Sequence, residues 1–143
     1  MKFHIIGDEA KLELDVIGRS HPDCLDYWDG NWITTYLKID IPGYHVSFPA
    51  HLRTDELEMF LDGLKEMNKM LKGKAELNNM DSYLHFECLM DKFGKITWTI
   101  DTVYPPAFGA KLHFDFQSDQ SYLPNLIKEL NEILILFPVI GKP

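Results

Sequence analysis

Two pairs of potential metal ligands stand at alternate positions, His85 with Glu87 and His113 with Asp115. Residues two apart on a strand share a face, so each pair would present an imidazole beside a carboxylate, donor types suited to zinc or iron. Cys24, close to His21 and Asp23, is the one local cluster resembling a nucleophile with its base. Glu13 with Asp15 and Asp26 with Asp29 are carboxylates at the short spacings that acid and base chemistry uses. A different kind of concentration is Asp26-Tyr27-Trp28-Asp29-Gly30-Asn31-Trp32, with Tyr36 four residues on, which holds two of the chain's three tryptophans among acids.

The elements that must position these residues weaken the first three readings. In a simple meander the strand carrying Thr97 and Thr99 lies between the two histidine pairs. That leaves them about 10 Å apart at two strand spacings, whereas metal ligands sit about 2 Å from the ion. They are expected as solvated residues of an open sheet face, with a small metal- or ligand-binding protein as the second reading. Cys24 is expected as a loop thiol, and Cys88, between Phe86 and Met90, as a small core residue. No GxGxxG, phosphate loop, GxSxG, HExxH or EF-hand pattern occurs. The expectation is a protein without catalytic residues or cofactor.

Alternation of Leu12, Leu14 and Val16 with Lys11, Glu13 and Asp15 predicts a half-buried strand. His21 to Asn31 reads as a loop. A long strand then opens at Trp32, with Ile33, Thr35, Leu37, Ile39 and Ile41 on one face and Trp32, Thr34 and Tyr36 on the other. Pro42-Gly43 turns the chain into Tyr44, Val46 and Phe48, and Pro49 limits central pairing. From Thr54 a helical stripe of Leu57, Phe60, Leu61, Leu64, Met67 and Leu71 is predicted, capped by Thr54 and stopped at Gly73. Lys74 to Leu77, Tyr83 to Met90, Lys95 to Tyr104 and Lys111 to Gln117 read as strands of an antiparallel meander. The last helix carries Leu123, Leu126, Ile127, Leu130, Ile133, Leu134 and Phe137, with Ser121 preferred over Asp119 as its cap and an end before Pro138. These elements predict an α+β fold: a largely antiparallel sheet of six to eight strands with two helices on one face. The polar sheet face would then carry His85, Glu87, Thr97, Thr99, Asp101, His113 and Asp115 alongside Trp32 and Tyr36.

At 143 residues the chain suits one domain spanning 1–143. Fourteen basic residues against 22 acidic ones give a net charge of −8, which repels phosphate backbones and anionic membranes and favours a basic partner. Two cysteines without CxxC spacing fit a reducing compartment, and MKFHIIGDEAKLELD turns acidic before an export signal can form, so a cytoplasmic location is expected. Without a catalytic motif, Asp26, Tyr27, Trp28, Asp29, Trp32 and Tyr36 become candidate contacts for a protein partner, since tyrosine and tryptophan recur at interface centres. A structural turn anchored by Trp28 is the competing reading, and an adaptor or self-associating protein using the sheet face is a third. The sequence sets no oligomeric state.

Three landmarks carry a family resemblance: the Asp26–Trp32 segment before an alternating strand, the helix entry Ser118-Asp119-Gln120-Ser121-Tyr122-Leu123, and the closing Phe137-Pro138-Val139-Ile140-Gly141. With them the chain resembles the WapI family of bacterial immunity proteins from about Leu12 to Gly141. The resemblance implies a cytosolic, non-enzymatic protein that binds and neutralises a cognate toxin domain of a wall-associated or contact-delivered protein, such as the tRNA nuclease activity associated with WapA. It implies no catalytic residues, and it does not specify the toxin.

Overall fold

A computed structural model describes all of residues 1–143. Strands form where alternation predicted them, one further strand at Lys2–Gly7 was not anticipated, and all pair antiparallel. The first four are β1 (Lys2–Gly7), β2 (Ala10–Arg19), β3 (Trp32–Ile41) and β4 (Tyr44–Arg53), paired in that order. The second four are β5 (Gly73–Asn78), β6 (Leu84–Met90), β7 (Lys95–Tyr104) and β8 (Ala110–Asp119), also in sequence order. The α+β class holds, with the strands divided between two four-stranded sheets. The division has a local cause. Helix α2 (Thr54–Met70) follows β4, and its 17 residues carry the chain about 25 Å before β5 begins, so β4 and β5 are not neighbours. Pro49 lies in β4, at the edge of its sheet, where a missing amide costs no ladder bond.

Both apolar faces and both long helices enclose one cluster of 31 buried apolar residues. Leu12, Leu14, Ile33, Leu37 and Ile39 enter it from the first sheet and Phe86, Cys88, Ile96, Trp98 and Ile100 from the second. Leu57, Phe60, Leu61, Leu64 and Met67 form the buried stripe of α2. Leu71 is half exposed; it ends the helix in the left-handed region (φ 55°), so the stop falls two residues before Gly73, which instead opens β5. The capping of α2 also differs from expectation. Arg53 is the cap residue, its amide donating to Glu56 Oε1 at 2.9 Å, and the Thr54 hydroxyl is directed to Asn31.

Helix α3 (Leu123–Leu136) buries Leu123, Leu126, Leu130 and Ile133 and stops before Pro138. A 3-10 turn, Gln120–Tyr122, precedes it and is capped by Asp119, whose Oδ1 accepts the Ser121 amide at 2.8 Å; α3 itself starts after Tyr122 with no side-chain cap, so Ser121 does not cap it. A carboxylate suits that place because exposed amides there favour negative charge. On the outer face of the first sheet, His4 sits between Glu13 (3.2 Å) and Glu129 (2.8 Å), tying α3 to β1 and β2. Glu13 also lies 3.6 Å from the Lys2 ammonium, while Asp15 meets the N-terminal amine at 3.3 Å, so the two carboxylates have separate partners.

The sheets meet where β1 leaves toward β2. Asp8 N donates to Gln117 O at 2.8 Å and Ser118 Oγ to Ile6 O at 2.8 Å. Gly7 stands at that contact, and a Cβ there would lie 2.4 Å from Gln117 O and 2.6 Å from the Phe116 ring. On the β4 side, Phe48 stacks on Tyr104 at 4.7 Å and on Tyr83 at 6.5 Å, closing the core against the second sheet. No helix is long and apolar enough to cross a membrane.

Because the clash at Gly7 involves backbone as well as a ring, Gly7→Ala is expected to destabilise the protein by about 1–3 kcal/mol, the usual range for overpacking. Urea unfolding of the two proteins measures it, and an unchanged midpoint would show that the sheets do not depend on this contact.

Candidate functional site

The segment expected as a loop contains one turn of helix, α1 (Tyr27–Gly30). Asp26 starts it, its carboxylate accepting the Asp29 amide at 3.0 Å. A single turn cannot satisfy its own carbonyls, and α1 carries no basic residue near its end. The donors arrive from elsewhere in the chain. Arg53 donates to Trp28 O at 2.6 Å and Tyr27 O at 2.8 Å, and Arg19 to Gly30 O at 2.7 Å. Asn31 Nδ2 adds a second bond to Tyr27 O at 3.0 Å. The chain has only these two arginines, and both serve this turn.

Arg53 is only 1% exposed. Its Nε donates to Asp55 at 2.9 Å, and its guanidinium lies 5.1 Å from the Tyr27 ring, 5.6 Å from Trp28 and 5.0 Å from Trp32. Trp32 is the residue directly opposite Arg53 across the β3–β4 pair. A cation removed from water needs such a set of partners, and desolvated aromatic contacts of this kind contribute about 1–2 kcal/mol each at most.

Asn31 is fully buried and uses its whole bonding capacity: Nδ2 donates to Tyr27 O and Ile140 O, and Oδ1 accepts from Thr54 Oγ1 and Ile140 N. Arg19 also donates to Pro138 O. Two of the landmark segments, Asp26–Trp32 and Phe137–Gly141, are thus one assembly in space, although Asn31 and Ile140 are 109 residues apart. Gly30 is required there, since a Cβ would meet Ile140 Cδ1 at 2.5 Å and Cys24 O at 2.7 Å.

The six candidate contact residues divide by depth. Tyr27 and Trp32 are half-buried against Arg53, whereas Asp26, Asp29 and Trp28 are exposed, Trp28 by 55%. Its indole packs edge-on against Tyr27 with centroids 5.0 Å apart. Tyr36 is exposed further along β3, between Asp15 and Pro49. Trp32 and Tyr36 belong to the first sheet and do not share the polar face of the second, as one continuous sheet would require. Sequence reasoning missed Arg53, Arg19, Asn31 and Asp55. The scarcity of arginine was a visible signal, but its destination was not.

On the second sheet, β7 separates His85 and Glu87 from His113 and Asp115, so those four do not converge. The donor atoms of His85, Glu87 and Glu76 do lie within 4.8 Å of one another. They could supply one nitrogen and two oxygens to a cation, but Glu76 already pairs with Lys74 at 2.8 Å. His113 bonds Asp101 at 2.6 Å, and that hydrogen bond and the carboxylate charge hold its imidazolium on to higher pH than usual. Cys24 is half-buried beside exposed His21 and Asp23, with no side-chain bond between them. Burial pushes the Cys88 thiol up to about 12, far from a reactive thiolate.

The chain matches the family model described as the immunity protein WapI-like family over residues 3–138. No curated protein matches it.

Two outcomes follow from these contacts. Arg53→Met should cost about 3–5 kcal/mol in urea unfolding, because it removes the buried cation beside Asp55, the donor to Trp28 O and one of the two donors to Tyr27 O, while Trp28→Ala, which removes one exposed ring, should cost about 1 kcal/mol or less. Equal effects would mean that the ring, not the cation, holds the turn. Asp101→Asn should lower the His113 titration midpoint observed by NMR. The folded value is raised, so the stabilisation is full at low pH and is lost as pH rises through that value; an unmoved midpoint would remove Asp101 as the cause.

Proposed function

The chain belongs to the immunity protein WapI-like family, and on that premise we propose that it protects its cell by binding and neutralising a cognate toxin domain, without catalysis. The observation that carries the docking site is the exposed Trp28 indole, held on the buried Arg53 guanidinium and flanked by exposed Asp26 and Asp29. Exposed aromatics usually lose side-chain freedom on binding. Here the backbone of Trp28 is clamped through its carbonyl, so less ordering remains to be done when a partner arrives. The carboxylates around it attract a basic surface, and the overall charge of −8 extends that attraction over the distance of an encounter.

A nuclease acting on tRNA is a toxin of the right chemistry, because its substrate site must be basic to hold phosphates. An acidic protein seated over such a site excludes the substrate by occupying its counter-charges. Tyr27, Trp32 and Tyr36 extend the proposed contact from α1 along the outer face of β3. Binding to nucleic acid itself or to an anionic membrane runs against the charge. The cytoplasm is the compartment where a toxin that cuts tRNA would have to be met.

The decisive experiment co-expresses this protein with the toxin domain encoded immediately upstream. Cells should survive, and the purified pair should co-elute. Trp28→Ala with Asp29→Ala should weaken the complex about 30-fold or more, the scale of an interface centre, while unfolding stays cooperative. No protection and no complex would overturn the reading, and loss of folding in the double variant would assign the motif to structure alone.

A further inference from the structure

Beside the α1 assembly, Ser20, His21, Trp32, Thr34, His51 and Asp81 line an open groove of about 420 Å³. Five of the six come from the first sheet or the segment just after β2; Asp81 comes from the turn between β5 and β6. That turn is held in place from behind. Glu56, buried at the start of α2, accepts the Met80 amide at 2.5 Å and the Asn79 side chain at 3.1 Å, and Asn79 also donates to His51 O at 3.0 Å. Asn79 Oδ1 accepts the Tyr83 amide at 2.9 Å on the far side of the turn. The Asp81 carboxylate is thus carried on a fixed backbone to the rim of a groove whose wall is the Trp32 indole. It is exposed and makes no hydrogen bond or ion pair within the chain.

The inside of the chain offers a parallel. The same indole lies 5.0 Å from the guanidinium of Arg53, whose Nε is taken by the Asp55 carboxylate. An indole and a carboxylate thus already serve one guanidinium within the chain, and the groove lining holds the same two residue types in Trp32 and Asp81. The Ser20 and Thr34 hydroxyls, bonded to each other at 2.9 Å, have lone pairs left to accept further N–H groups. The groove has no lysine or arginine in its lining to compete.

We infer that the groove receives an arginine side chain of the toxin domain, its guanidinium meeting the Asp81 carboxylate and the Trp32 ring. The inference rests on the immunity reading for its partner and goes further by naming the contact chemistry. Arginine is favoured over lysine because its planar group stacks on an indole and donates from several N–H groups at once, whereas an ammonium is a strongly hydrated point charge. With Trp28 at one end and the groove at the other, Trp32 joins the two into one docking strip. An arginine so placed in a nuclease would be withdrawn from contact with phosphate.

Two measurements test it. In the first, the indole N–H resonance of Trp32 is followed by NMR as acetyl-arginine amide, and separately acetyl-lysine amide, is titrated to millimolar concentration. The arginine compound should shift it, the lysine compound less so, and Asp81→Asn should abolish the response. Absence of a shift, or equal responses to both, would overturn the guanidinium assignment. In the second, Kd is measured with the upstream toxin domain. Asp81→Asn, which removes no internal bond, should raise Kd about tenfold or more, and Asp81→Lys further. One arginine-to-glutamate substitution in the toxin should weaken binding to wild type and regain it with Asp81→Lys. If wild type binds the toxin and Asp81→Asn binds equally, the groove inference falls while the immunity reading stands. If wild type does not bind it at all, the immunity reading falls, and the arginine of this proposal goes with it.

Discussion

The carbonyls of one helical turn cannot all be satisfied by that turn, and in this protein the answer to that deficit organises a whole end of the molecule. Tyr27, Trp28 and Gly30 present their oxygens to Arg53 and Arg19, cations placed where the negative end of a helix favours them. Asn31 completes the set and carries the connection on to Thr54 and Ile140. The last strand of the first sheet, the start of α2, the α1 turn and the C-terminal segment are thereby joined through polar groups withdrawn from water, and no buried side-chain polar atom lacks a partner. In a low-dielectric setting such a network is rigid because each missing partner would leave an unsatisfied group.

Rigidity on the inside has a consequence on the outside. Trp28 and Trp32 both lie against Arg53, but Trp28 shows more than half of its surface to solvent. An aromatic that would ordinarily fold inward is propped outward by a cation that has taken the interior position. The acids around it are then left free to act at a distance, apart from Asp26, whose carboxylate also starts the turn. On the second sheet Lys74 pairs with Glu76 and His113 with Asp101.

Much of this was readable from periodicity. Lys95–Tyr104 and the opening of β3 at Trp32 fall where alternation placed them, because a face buried on one side enforces a period of two. The α2 stripe from Leu57 to Met67 follows from the helical period in the same way. Helix ends were read less well, since several residue types compete for each cap: a 3-10 turn capped by Asp119 leads into the last helix in place of a Ser121 cap, Thr54 was drawn away to Asn31, and Leu71 adopted the left-handed turn that Gly73 was expected to supply. The separation of the strands into two sheets was not readable at all, because alternation states which face is buried and says nothing of which edges meet.

By itself the sequence determined the α+β class, the strand and helix stripes, the acidic balance and the landmark segments at Asp26–Trp32 and Phe137–Gly141, all properties set by nearest neighbours along the chain or by composition. Tertiary structure alone decided that those landmarks touch, that the two arginines end on one turn, and that Trp28 faces outward while Asn31 disappears. The reason is physical. Periodicity arises from the geometry of a single element, whereas the partner of a buried donor is chosen by whatever the fold brings within about 3 Å of it, and Ile140, 109 positions further along the chain, reaches Asn31 only once the chain between them has folded.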